Sequence, residues 1–251
     1  MRYPCSMADR SPLKLLCVTA HPDDECFIFG GALMLAAERG IETSVVCFTD
    51  GQAASNRGTA TTPAELGRMR REEFAASCGI LGVTHHEVLD YQDGQLEFAD
   101  FSKAAGLLVE RIRRDRPQIV LTFGGDGALN THADHSMASF LTTAAVQWAA
   151  QVKRYPTLGP IHSVERLYFA TYSFFFPGRP APLPAPWTVT LDTNRFQQRK
   201  FEAFRAHITQ LPLMERFQGF FEKRASQEHY MLAATPTTRP AEHSTDLFAG
   251  L

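Results

Sequence analysis

A single α/β domain, three-layered (α/β/α) with a mostly parallel, Rossmann-like sheet, is the fold the sequence predicts, on three observations. Short apolar runs alternate with stretches of helical length through residue 150, the order that gives right-handed crossovers and a parallel sheet. The runs are nearly continuous rather than alternating, as in strands covered on both faces. A chain of 251 residues with 44% hydrophobic content can bury one full core. No repeat or linker divides it, so residues 1–251 read as one domain, with a core over about 13–230 and loose ends.

Each element has its own signal. After a loose arm over 1–11, residues 14–20 form the first buried strand. It runs into a polar elbow, His21-Pro22-Asp23-Asp24-Glu25, and a helix over 27–39 that Gly40 is placed to end. A strand over 41–49 leads into a small, polar and mobile loop at 52–61. The next helix opens on Thr62-Pro63-Ala64-Glu65: a threonine cap, proline at the first helical position and glutamate at the capping-box position. It ends near 79–82. A strand over 86–91 turns at Asp93-Gly94, and a helix over 101–114 closes on a basic turn that suits its dipole. Residues 118–123 form the fourth strand, followed by a glycine loop at 124–127 and a helix over 133–151. Beyond it the pattern is less regular, with an aromatic strand over 164–176, a proline-rich loop over 177–186, a strand over 187–191 and a helix over 195–210. The last residues, about 233–251, read as frayed.

Composition removes several classes of function. With 25 basic and 27 acidic residues, the chain lacks the basic excess that non-specific nucleic-acid binding requires. No apolar run approaches the ~18 residues of a membrane span, and the opening stretch carries no apolar signal core. Cysteines at 5, 17, 26, 47 and 78 show no paired spacing and read as buried thiols of a cytoplasmic protein.

In open α/β sheets, sites form outside the carboxyl ends of the strands. Two histidine clusters fall there: the elbow after the first strand, and Thr131-His132-Ala133-Asp134-His135 after the fourth. Taken alone, the first suits an acid-rich helix start, and the second a pair of surface histidines. Together they suit a catalytic metal, which takes three protein ligands and leaves a position for water. His21, Asp24 and His135 supply two imidazoles and a carboxylate. Asp23 is left as general base and His132 as a second imidazole facing the substrate. The donor set suits zinc and would also take Fe(II) or Co(II). Asp134 is placed to hold the ring of His132. Arg70 by itself suits a helix-surface pair with Glu73. Asp50 and Glu25 read as structural, and His85 and His86 as uninvolved.

The chain resembles the PIG-L/LmbE-like zinc deacetylases. The resemblance rests on Ala20-His21-Pro22-Asp23-Asp24-Glu25 with Gly30-Gly31, on Thr49-Asp50-Gly51, and on Arg70-x-x-Glu73 before Leu81-Gly82-Val83. It continues through Leu89-Asp90-Tyr91-x-Asp93-Gly94 and His132-x-Asp134-His135 to Lys200 and Ala206-His207-x-x-Gln210. It implies a zinc-dependent hydrolase that removes an acetyl or other acyl group from an N-acetylglucosamine-type conjugate. His21, Asp24 and His135 would hold the metal, Asp23 would be the base, His132 would steady the oxyanion, and Arg70 would reach a substrate hydroxyl or phosphate. It also implies a small N-acylated sugar or amine as substrate, with homo-oligomers common among members. Two departures stand out: Ile28 where the family often has glycine, and Thr131 and Ala133 where it has glycine and proline. His207 and Gln210 match its late motif and read as pocket wall or support. A sibling amidase acting on a larger thiol-sugar or natural-product amide fits the same residues. A non-catalytic nucleotide-binding module does not: the first turn lacks G-x-G-x-x-G, and its carboxylates would repel a pyrophosphate.

Overall fold

The computed structural model describes residues 12–128, 131–173, 183–238 and 240–251. Seven strands form one sheet in the order β3-β2-β1-β4-β5-β7-β6. β1 (Lys14–Thr19) pairs in parallel with β2 (Glu42–Thr49) and β4 (Ile119–Phe123), β2 with β3 (His85–Tyr91), and β4 with β5 (Arg166–Thr171). β7 (Gln227–Ala234) is antiparallel to β5 and to β6 (Val189–Asp192). The strand order reverses between β1 and β4, so their carboxyl ends open the switch-point crevice.

Helices cover both faces, as right-handed crossovers running in opposite directions from β1 require. α4 (Phe101–Asp115) packs against α5 (Ala133–Ala149), while α3 (Pro63–Leu81) packs against α2 (Gly30–Glu38) and α6 (Gln197–Arg205). Caps fall where the sequence places them. The Thr62 hydroxyl accepts from Glu65 N, and Gly82, at φ 79°, closes α3 in the left-handed conformation that glycine adopts without strain. The Glu65 carboxylate accepts from Thr61 rather than from the cap residue, so the capping box closes one residue early.

The structure departs from the sequence reading in five places. The helix expected over 27–39 is two helices, α1 (Asp24–Phe27) and α2, with a break at Ile28-Phe29; the first begins inside the elbow. The helix expected over 195–210 stops at Arg205 and resumes as a 3-10 turn, Ile208–Gln210. α7 (Leu211–Arg224) and β7 follow, neither with a sequence assignment. β3 begins at His85, one residue ahead of the expected strand, with His85 and His86 both exposed. The final segment is not frayed: Leu247 and Phe248 are buried, Ser244 bridges Val189, and Arg166 donates to the carbonyl of Leu247. The N-terminal arm and residues 174–182, which include part of the expected aromatic strand and proline-rich loop, lie outside the described residues.

Candidate active site

The site is built from the ends of β1, β3 and β4. Asp24 is the first residue of α1, and its Oδ2 accepts from the backbone N–H groups of Ala20 and His21 at 3.2 and 2.8 Å. The carboxylate and the first imidazole are therefore fixed by one turn of chain. His135 enters from the first turn of α5, its ring stacked on Phe123 of β4 with centroids 4.2 Å apart. Donor atoms of three residues converge. His21 Nδ1 lies 3.2 Å from His135 Nε2, His135 Nε2 lies 3.2 Å from Asp24 Oδ1, and His21 Nδ1 lies 3.8 Å from Asp24 Oδ2. Ligands about 2.0–2.1 Å from a tetrahedral zinc stand roughly 3.3 Å from one another, so the residues fit such a cation as they stand.

The far side of each imidazole is also held. His135 Nδ1 meets the Gly127 carbonyl at 2.9 Å. His21 Nε2 lies 3.0 Å from Asp93 and 3.2 Å from Asp134. Such contacts fix ring orientation and tautomer in metal centres. Asp134 therefore differs from expectation. Its carboxylate meets His21 and the N–H groups of Gly94 and Leu96, because it starts a helix packed beneath the β3 turn. His132 is reached instead by the Asp134 backbone N–H, which donates to Nδ1. Asp93 received no role from sequence; the Asp93-Gly94 turn signal was visible, but its distance from His21 was not.

Asp23 has φ 109°, a left-handed conformation that costs a non-glycine residue about 1–3 kcal/mol. Several bonds hold it there. Its N–H donates to Glu25 Oε2 at 2.8 Å, and its Oδ2 accepts from Arg70 at 3.0 Å. Arg70, 3% exposed, also donates to the carbonyls of Pro22 and Gly51. Gly51 has φ 68°, and a Cβ there would overlap the guanidinium. Arg70 thus braces the elbow rather than lying on the helix surface, and Glu73 accepts instead from Thr209. Arg70, Ser77 and Glu73 project from one side of α3. Ser77 donates to Glu25, whose Oε1 lies 2.7 Å from Nε2 of the fully buried His207.

The electrostatics follow from burial among like and unlike charges. Burial raises Asp23 to about 6, with Arg70 opposing and Asp24 reinforcing the rise. Burial works against the charge on Asp24, yet His135 and His21 outweigh it and hold the carboxyl at about 2. His21 is pushed up to about 10 although burial opposes it, because Asp134 and Asp93 accept from its ring. His132 is lowered by burial and by its two neighbouring imidazoles.

These groups line a cavity of about 470 Å³, within the usual range for small-molecule sites. His21, Asp23, Asp24, His132 and His135 share it with Arg70, Asp93 and Gln210, and with Ala53–Asn56 of the loop after β2. His207 lies behind the wall.

A doubly covered α/β sheet with histidines and carboxylates gathered at its switch point is an arrangement that could hold a catalytic cation. The chain belongs to the GlcNAc-PI de-N-acetylase (PIG-L) family, whose model matches residues 16–146, and is an amide-hydrolysing enzyme. It is 30% identical to 1D-myo-inositol 2-acetamido-2-deoxy-alpha-D-glucopyranoside deacetylase of Actinosynnema mirum, over 96% of this chain and 98% of that one. It is 32% identical to mycothiol S-conjugate amidase of Streptomyces coelicolor, over 57% and 55% of the two chains. The fold is similar to that of N,N'-diacetylchitobiose deacetylase from Pyrococcus horikoshii, with TM-score 0.73, 23% identity, and 90% and 87% of the chains covered. It is also similar to 4-carboxy-2-hydroxymuconate hydratase from Pseudomonas putida, with TM-score 0.66, 21% identity, and 91% and 99% covered. The fold by itself therefore does not fix the reaction.

Proposed function

We propose that this enzyme removes an acetyl, or another acyl group, from the amide nitrogen of an N-acetylglucosamine-type conjugate. The spacing of His21 Nδ1, His135 Nε2 and Asp24 Oδ1/Oδ2 carries the metal part of this reading. Relatives named for an acetamido-sugar linked to inositol support the substrate class. Zinc is the cation the donor set favours, with Fe(II) or Co(II) as substitutes. When bound, such a cation supplies Lewis acidity to the attacked carbonyl and acidifies a water.

The remaining work falls to the chain. Asp23, raised to about 6, is ionised at neutral pH yet basic enough to accept the proton of the attacking water. Arg70 holds one of its oxygens. His132 accepts the Asp134 N–H at Nδ1, so a neutral ring carries its proton at Nε2 and donates that bond to the developing oxyanion. A second proton on the ring would break the bond from Asp134. An amine leaves poorly unless protonated, and Asp23 returns to it the proton taken from water. Among the described residues no helix is long and apolar enough to cross a membrane. The free buried thiols of Cys17, Cys26, Cys47 and Cys78 support a cytoplasmic setting.

The test is free-amine release from a panel of N-acetylglucosaminyl conjugates and larger thiol-sugar amides by zinc-loaded protein. Asp23→Asn should keep its metal and lose roughly 10²–10⁴-fold in turnover. Near-normal rates in that variant would remove Asp23 as base, and silence of the metal-loaded parent on every amide would remove the substrate class.

A further inference from the structure

The strained turn at Asp23 is held from an unexpected direction. Its N–H donates to Glu25 Oε2, and the other oxygen of Glu25 is fixed by Ser77 and by His207, 182 residues later in the chain. Glu25, Ser77 and His207 are completely buried, and none of them lines the cavity.

We infer that Glu25 and His207 are positioning residues for the reaction. His207 fixes the Glu25 carboxylate, and Glu25 fixes the Asp23 peptide in the left-handed turn from which its side chain faces the substrate. The inference rests on the reading of Asp23 as base. A carboxylate buried without donors would be costly and would seek another partner. Removing His207 therefore frees Glu25 to turn away, and the Asp23 peptide to relax toward an ordinary conformation. The metal triad is not involved, because Asp24 takes its own bonds from Ala20 and His21.

The competing view makes His207 a bolt for the junction between α6 and α7. That junction has independent bolts: Thr209 donates twice to Glu73, and Gln210 donates to the carbonyl of Asn56. Thr209 makes no hydrogen bond to Glu25 or Asp23 and reaches the cavity wall only by accepting from Gln210, so the relative losses of kcat at Thr209 and His207 separate the two views.

The experiment compares His207→Leu, His207→Gln, Thr209→Val and Asp23→Asn as metal-loaded, full-length proteins. Metal content, melting temperature, kcat and KM are read for each. His207→Leu should lose roughly 10–100-fold in kcat, the range for groups that orient a reacting one, with metal content and KM unchanged. His207→Gln, which restores an N–H donor, should recover much of that loss. Thr209→Val should lower the melting temperature and change kcat far less than His207→Leu does. A kcat within about twofold of the parent in folded His207→Leu overturns the inference, as does loss of metal or an equal loss of kcat in Thr209→Val. Should His207→Leu not fold, Ser77→Ala removes the second donor to the same oxygen. It should lower kcat several-fold, and an unchanged kcat overturns the inference. Full activity in Asp23→Asn would instead remove the base assignment itself, a distinct failure.

Discussion

His21 carries the sharpest consequence at the scale of single residues. Its ring faces Asp24 on one edge and Asp93 and Asp134 on the other, and its pKa of about 10 leaves it protonated at neutral pH before a cation binds. A metal must displace that proton. Zinc titrated at pH 7 into chelator-stripped protein should release about one proton, read by calorimetry in buffers of different ionisation enthalpy; zero release would contradict the charge state. The stability counterpart has a definite sign. A raised pKa contributes fully below the unfolded value of about 6.5 and is lost as pH rises through about 10, so the stripped protein should weaken on the alkaline side. The candidate ligand cluster was legible in the sequence because His21, Asp24 and His135 flank predicted strands within short motifs. Asp93 and the Glu25–His207 pair were not, since their meaning lies in contacts across folded elements that no local spacing encodes.

Among the elements, α2 depends on a strand far along the chain. Glu228 of β7 accepts from the N–H groups of Gly31 and Ala32 at 2.6 and 2.9 Å, capping α2, and also accepts from Lys200 and Tyr230. Lys200 is 6% exposed, and removing one member of a buried ion pair leaves the other charge uncompensated. Glu228→Ala should cost about 3–5 kcal/mol, measured by urea unfolding; a loss under ~1 kcal/mol would mean that water reaches Lys200. β1 to α5 could be read from continuous apolar runs and clean caps. α7 and β7 escaped for physical reasons. Gly219 weakens the helical pattern of α7, and β7 opens on Gln227-Glu228-His229, polar residues of which the latter two are buried. A strand that hides charge to cap a helix does not look like a strand.

Across the whole molecule, the segment expected to fray closes one side of the fold. Leu247 and Phe248 are buried, and Arg166 donates to the carbonyls of Leu247 and Ala249. Ending the chain after His243 removes that cover, at about 1.5–3 kcal/mol for each buried apolar side chain. It should lower the melting temperature by several degrees; an unchanged value would show that the segment adds nothing to stability. The position of β7 between β5 and β6 has a consequence in time. All three candidate ligands lie before residue 136, yet among the described residues β6, though made earlier than β7, is joined to the rest of the sheet through β7. A chain emerging from a ribosome thus displays these candidate donors long before the sheet can be completed. Glu228, which caps the helix beside those donors, is among the later groups to arrive. The contacts that orient the candidate donors also lie before residue 136, so what a stalled or shortened chain would lack is the later support: Glu228 at the start of α2 and His207 behind Glu25.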